Sequence, residues 1–333
     1  MARALWKPTG QRIAQANLTR FMQAVADVHG FKSGGDYFAL QDWSLANPAA
    51  FWDCVWDFCD VEAAQKGHTV LEDGDRFPGA RWFPGARLNF AENLLRFRDE
   101  RPALVGLLEN GARRELSYAQ LYLQVAQLAA SLRAQGVEPG DRVAGFMPNV
   151  PETVIAMLAT ASVGATWSSC SPDFGINGVM DRFGQIQPKV LFAADGYYYN
   201  GKTIDLRERL QGIVERIDSL ARVVVTPLVG EQPDISGIAN AVLFDDYIDN
   251  ATTEVMFEQR PFDHPVYLMY SSGTTGVPKC IVHGAGGTLL QHLKEHQLLV
   301  DMTRGDVFFY FTTCGWMMWN WLVSGLATGA TLV

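Results

Sequence analysis

Val143-Ala-Gly-Phe-Met147, then Pro151-Glu-Thr-Val-Ile-Ala-Met-Leu-Ala-Thr-Ala-Ser-Val-Gly164, then Ala165-Thr-Trp-Ser-Ser169 form a short apolar run, a helix-length segment and a second short run. Pro151 suits the first position of a helix, because that position needs no N–H donor, and Gly164 suits its end. The flanking runs are strand-length and too apolar to sit on a surface. The unit reads as strand, helix (Glu152–Val163), strand.

The same cycle extends both ways. Upstream, Ser117 and Gln120 form a capping box, and Leu121, Val125, Leu128 and Leu132 give one helix face ending at Gly136. A turn at Pro139-Gly-Asp141 leads into the first strand. Downstream lie a predicted helix near Asn177–Gln187, a strand at Val190–Ala193, a helix at Thr203–Leu220 and a strand at Arg222–Thr226. Alternating strands and helices imply an α/β fold, three layers around a largely parallel sheet. The link from about Val229 to Ala241 is richer in Gly and Pro and reads as a loop.

The first hundred residues differ. Asn47-Pro48 reads as N-cap and first helical residue, and Trp52, Val55, Trp56 and Cys59 make one apolar stripe. Arg76 to Ala86 is a turn-rich connector with two Pro-Gly steps. The expected division is a helical N-terminal cap over 1–100 and an α/β domain over 101–333.

Of 333 residues 48% are hydrophobic, which excludes intrinsic disorder. Asp and Glu number 36 against 27 Lys and Arg, a net charge of −9, which argues against nucleic acid or an anionic membrane as partner. Five cysteines, none spaced CxxC, argue against a disulfide framework or zinc ribbon and favour a reducing, cytoplasmic setting. No charge occurs from Val307 to Val333, but three glycines and Thr312, Thr313, Asn320, Ser324, Thr328 and Thr331 interrupt the run. It reads as buried strand, loop, helix and strand, not a membrane span.

Val266-Tyr-Leu-Met-Tyr-Ser-Ser-Gly-Thr-Thr-Gly-Val-Pro-Lys-Cys280 carries the chemistry. An apolar strand runs into Ser271, Ser272, Thr274 and Thr275, interleaved with Gly273 and Gly276. Glycines let backbone N–H groups fold around an anion, hydroxyls add donors, and Lys279 supplies a charge behind the stiff Pro278. This is a polyphosphate cradle, although the Walker pattern does not fit it.

Tyr270–Lys279 resembles the signature loop of the adenylate-forming enzymes. Arg81-Trp-Phe-Pro-Gly-Ala-Arg-Leu-Asn-Phe-Ala-Glu-Asn93 and Gly164-Ala-Thr-Trp-Ser-Ser-Cys-Ser-Pro-Asp-Phe-Gly175 resemble the short-chain acyl-CoA synthetase branch. Phe311-Thr-Thr-Cys-Gly-Trp-Met-Met-Trp-Asn320 is similar to its acetoacetate-activating members. The resemblance implies ATP-dependent activation of a short acid as acyl-adenylate, then transfer to coenzyme A. It implies that Ser271, Ser272, Gly273, Thr274, Thr275, Gly276 and Lys279 hold the ATP phosphates, with Mg2+ bridging phosphate oxygens and no protein ligand for it in this stretch.

The resemblance also places the acyl pocket at Thr313, Trp316, Met317, Met318 and Asn320, where Asn320 or Thr313 would donate to a 3-keto oxygen; plain core packing is the competing reading. Tyr199, Asn200, Gly201 and Lys202 align with a loop that contacts coenzyme A in relatives carrying an arginine where Tyr199 stands. A surface turn at a helix start explains the same residues. His292-Leu-Lys-Glu-His296 has the H-x-x-E-H form of a zinc site, yet falls on an expected amphipathic helix (Gly286–Leu299), and its histidines read as solvated. His283 lies closer to the cradle in sequence.

Family members continue with an adenine pocket, an acidic magnesium ligand, a ribose-binding aspartate and a small C-terminal domain bearing the adenylation lysine. None is found before Val333, and no catalytic residue is assigned. The chain therefore reads as the N-terminal part of such an enzyme, inactive alone, through truncation, a split gene or a second polypeptide supplying the rest. The alternatives are a ligase for acetate, propionate or a branched acid, or a non-catalytic remnant binding nucleotide or coenzyme A.

Overall fold

A computed structural model describes residues 5–272 and 276–333. Its centre is a seven-stranded sheet of β1 (Arg142–Phe146), β2 (Thr166–Cys170), β3 (Val190–Ala194), β4 (Arg222–Thr226), β5 (Ala241–Leu243), β6 (Pro265–Tyr270) and β7 (Cys280–Gly284). The spatial order is β5-β4-β3-β1-β2-β6-β7, and every neighbouring pair is parallel except β6 and β7. Chain order reverses direction at β1, with β2 on one side and β3 on the other. Open sheets of this kind bind ligands at the carboxyl ends of their strands.

Side-chain alternation sorts the strands into two cores. Val143, Val190, Phe192, Ala194 and Val224 face one side, packing with α2 (Pro151–Ser162) and α1 (Tyr118–Ala134). Ala144, Phe146, Leu191, Ala193, Val223 and Val225 face the other, against α3 (Ile176–Ile186) and α4 (Arg207–Val214). Both faces are covered, which is why these strands read as unbroken apolar runs. Gly145 leaves room for the Trp167 side chain of the neighbouring strand β2: a Cβ there would lie 2.6 Å from its ring.

The capping box at Ser117 forms, and Pro151 sits in the first turn of α2. The expected helix from Thr203 is a correction. Gly196–Tyr199 and Lys202–Asp205 pair as an antiparallel hairpin, and α4 begins only at Arg207. Asn200 and Gly201 both take positive φ, the Asn-Gly turn that favours two-residue hairpins.

The stretch without charge folds as strand Val307–Phe308, α6 (Met317–Ser324), a 3-10 turn over Gly325–Thr328 and strand Thr331–Leu332. Its strands join Pro102–Leu107 and Arg113–Ser117 in a second sheet. Among the described residues no helix is long and apolar enough to cross a membrane.

Four helices (Gly10–Gln15, Asn17–His29, Tyr37–Ala46, Pro48–Phe58) form the N-terminal region. It docks through aromatic contacts: Trp56 to Phe83 at 4.8 Å between ring centroids, and Phe83 to Phe262 at 5.1 Å. Asn89 caps a short helix and also donates to the carbonyls of Ala161 and Glu258, both at 2.9 Å, tying the connector to the end of α2. Asn93 exchanges hydrogen bonds with the backbone of Glu62. The Arg81–Asn93 motif thus keeps its two asparagines for structural pinning.

Candidate phosphate and acyl site

β6 carries buried Val266, Tyr267 and Met269 out to Tyr270, where the chain leaves the sheet. The loop beyond is closed at its base by two bonds. Ser271 N–H donates to the Lys279 carbonyl at 3.0 Å, and Lys279 N–H donates to Ser271 Oγ at 2.9 Å. Ser271 keeps its hydroxyl hydrogen for another acceptor. Ser272 and Lys279 are exposed, Pro278 is buried, and Gly276 takes a positive φ of 144°. Gly273, Thr274 and Thr275 lie outside the described residues. A hydroxyl, an ammonium group and a backbone glycine at one rim suit an oxyanion.

The segment holding the expected acyl residues is tethered above the same strand ends. Ser169 Oγ donates to the Cys314 carbonyl at 2.6 Å, and Trp319 Nε1 donates to Asn149 Oδ1 at 2.8 Å. This brings the residues from 313 to 320 beside the carboxyl ends of β1 and β2. An open cleft of about 900 Å³ runs alongside. Its walls are the connector (Arg81, Trp82, Arg87), the end of β7 (Val282, His283), α5 (Ala285–Leu293; Thr288, His292) and Met317 with Trp321.

The five acyl candidates do not converge. Met317 is 44% exposed and lines the cleft. Trp316 and Thr313 are exposed, and Met318 is half-buried. Asn320 is 3% exposed and turns inward: its Nδ2 lies 3.6 Å from Met269 Sδ, and its buried Oδ1 has no partner among the described residues. His283, noted for its closeness to the cradle in sequence, is in the cleft with Met317, its pKa lowered by burial.

The H-x-x-E-H histidines are the second correction: they are buried, not solvated. His292 Nδ1 and Ser324 Oγ are 2.7 Å apart, and His296 Nε2 is 2.8 Å from the Trp321 carbonyl. Burial drives their pKa values down, to about 3 and about 4, so both rings are neutral. Among the described residues no three His, Cys, Asp or Glu side chains gather as a metal site. The five cysteines are free.

Tyr199, Asn200, Gly201 and Lys202 form the exposed tip of the hairpin. Gly201 N–H donates to the Glu109 carboxylate at 3.1 Å, so a negative group already stands at this tip. Sequence reading missed the connector as a cleft wall, although its two Pro-Gly steps marked it as a sharply turning segment.

Residues 90–333 match the family model described as AMP-binding enzyme, and residues 37–94 match the acetyl-coenzyme A synthetase N-terminus. The chain belongs to the AMP-binding enzyme family. Its relatives include acetoacetyl-coenzyme A synthetases. It is 49% identical over 99% of its length to an acetoacetyl-coenzyme A synthetase of Rhizobium meliloti (strain 1021), and 45% identical over 99% to that of Mus musculus. A solved structure, acetoacetyl-CoA synthetase from Streptomyces lividans, superposes over the whole chain with a TM-score of 0.93 at 47% identity. The chain spans about half the length of these relatives, 50% of each curated one and 51% of the solved chain. Each relative carries both halves on one polypeptide, so the comparison lends no support to a separate partner chain supplying the rest.

Proposed function

We propose that the chain is the phosphate- and acid-binding portion of an ATP-dependent ligase that joins acetoacetate to coenzyme A. The observation carrying this is that the Ser271–Lys279 cradle and the 313–320 segment stand over the carboxyl ends of the same parallel strands, in a chain whose relatives are named for that activity. The acid carboxylate attacks the α-phosphate of ATP and pyrophosphate leaves; the thiol of coenzyme A then displaces AMP from the acyl-adenylate. The protein's task in the first step is to neutralise charge where pyrophosphate departs. Ser271, Ser272 and Lys279 present donors for it, with Gly273, Thr274, Thr275 and Gly276 completing the cradle. Magnesium, held through phosphate oxygens, would add charge neutralisation.

Met317 and Met318 shape the acyl end with flexible apolar surface. Asn320 serves the 3-keto group only if its amide turns over, since it now meets Met269 through Nδ2. Lys202 is the remaining cation at the hairpin for coenzyme A. Residues 1–100 act as the cap and 101–333 as the adenylate-binding domain, in a cytoplasmic enzyme.

The test is acid-dependent exchange of pyrophosphate into ATP. The 333-residue chain is run beside a chimera completed with the second half of the Rhizobium meliloti relative, with acetoacetate, acetate and butyrate in parallel. Exchange by the chimera alone, strongest with acetoacetate and abolished by Met318→Trp while ATP still binds, is expected. No exchange with any acid would favour a nucleotide-binding remnant.

A further inference from the structure

We propose that α3 clamps both roots of the phosphate loop, with Gln185 and Arg182 as positioning residues; the inference rests on reading Ser271–Lys279 as the phosphate site. The two side chains are three residues apart on one helix and therefore share a face. Gln185 Nε2 donates to the Pro278 carbonyl at 2.8 Å, and its Oε1 stands 3.7 Å from Cys280 Sγ. The Arg182 guanidinium lies 5.7 Å from the Tyr270 ring centroid and 4.5 Å from that of Phe174. Tyr270 is fixed from the sheet side as well. Its hydroxyl is 2.9 Å from Ser168 Oγ, which also donates to the Leu268 carbonyl at 3.0 Å.

Tyr270 and Pro278 each precede, by one peptide bond, a residue that faces the phosphates: Ser271 and Lys279. The clamp therefore acts one bond upstream of each donor. Pro278 has no N–H and its ring is buried, so its carbonyl is the polar group through which α3 can hold that backbone. Gln185 itself is exposed. Its contribution is thus the hydrogen bond and the direction this gives Lys279, not core packing. A cation held in place before phosphate arrives needs no ordering on binding.

The test uses the 333-residue chain. Gln185→Met keeps side-chain length and removes the donor. Two quantities are read: the Kd for inorganic pyrophosphate by calorimetry, and the rate of tryptic cleavage after Lys279. Loss of one such hydrogen bond should weaken pyrophosphate about fivefold. Cleavage after Lys279 should accelerate by about the same factor, with Tm and cleavage at other Lys and Arg sites unchanged. Ser168→Ala, acting on the Tyr270 root, should move both readouts in the same direction. Unchanged affinity and unchanged cleavage at Lys279 in Gln185→Met overturn the proposal. Lys279→Ala is the control for the underlying reading. If the parent chain and Lys279→Ala bind pyrophosphate equally, or neither binds it, the phosphate reading fails, and the cleavage rate alone decides whether the clamp exists.

Discussion

Lowering the pH from 7 to 5 should destabilise this fold through His292 and His296. Both rings are enclosed, one beside Ser324 Oγ and the other against the Trp321 carbonyl and ring, and both are neutral in the native state. Their native pKa values, about 3 and about 4, lie below the ordinary imidazole value of 6.5. The unfolded chain takes up protons as pH falls through 6.5 while the native chain does not. Stability from these rings is therefore complete above 6.5 and is lost as pH falls toward the native values. Because pH 5 is above both native values, the loss by that point is set by the unfolded pKa. It amounts to about 2 kcal/mol per ring between pH 7 and pH 5, or roughly 4 kcal/mol for the pair. Urea unfolding followed by tryptophan fluorescence at pH 7, 6 and 5 measures it. The double variant His292→Asn, His296→Gln should start less stable and show a pH profile flatter by that amount. An equally steep decline in the double variant would refute the assignment of the loss to these rings, and a flat parent profile would refute their burial as neutral groups.

Other perturbations have equally defined outcomes. Asp195 is buried and its carboxylate accepts N–H bonds from Leu228, Val229 and Gly230 at 2.7, 3.1 and 2.9 Å. Asp195→Asn points an amide donor at one of these donors and should cost about 1–3 kcal/mol in urea unfolding. A Cβ on Gly286 would stand 2.1 Å from the Phe262 ring, so Gly286→Ala should destabilise by about 1–3 kcal/mol through overpacking, seen as a lower urea midpoint. Burial pushes the thiols of Cys54, Cys59 and Cys170 up to about 11, 12 and 12, and Cys314 is enclosed, whereas Cys280 is half-exposed. An aromatic disulfide reagent at pH 8 should titrate one fast thiol per native chain and five after denaturation; loss of the fast phase in Cys280→Ser identifies it.

The central sheet was legible because burial on both faces leaves a plain mark: the predicted strand Arg222–Thr226 has those bounds, Val190–Ala193 and Val266–Tyr270 each gain one residue at one end, and Val143–Met147 and Ala165–Ser169 are each displaced by one residue along the chain. The hairpin at Gly196–Asp205 was not, because its strands carry tyrosines and polar residues half-exposed on a two-stranded ribbon, with no buried face to impose alternation. The phosphate cradle showed itself through glycine and hydroxyl spacing, a local property of the chain. The cleft did not, since its walls come from the connector, β7, α5 and α6, segments separated by some two hundred residues. The burial of His292 and His296 was equally hidden. Helical periodicity places them on one face, but what covers that face is Trp321 and Ser324, from another helix.

The position of β6 bears on how the molecule assembles. β1 through β5 are contributed by one continuous run of about a hundred residues, each strand meeting a neighbour close in sequence. β6 instead inserts beside β2, pairing Tyr267 with Trp167 across a hundred residues. Closing so long a loop is entropically unfavourable until the contact is made. The five-strand unit should therefore order first, and native-state hydrogen exchange should show β6 and β7 opening at lower free energy than β1 and β3. The phosphate cradle, which hangs between β6 and β7, then comes into being only at the last step of sheet assembly.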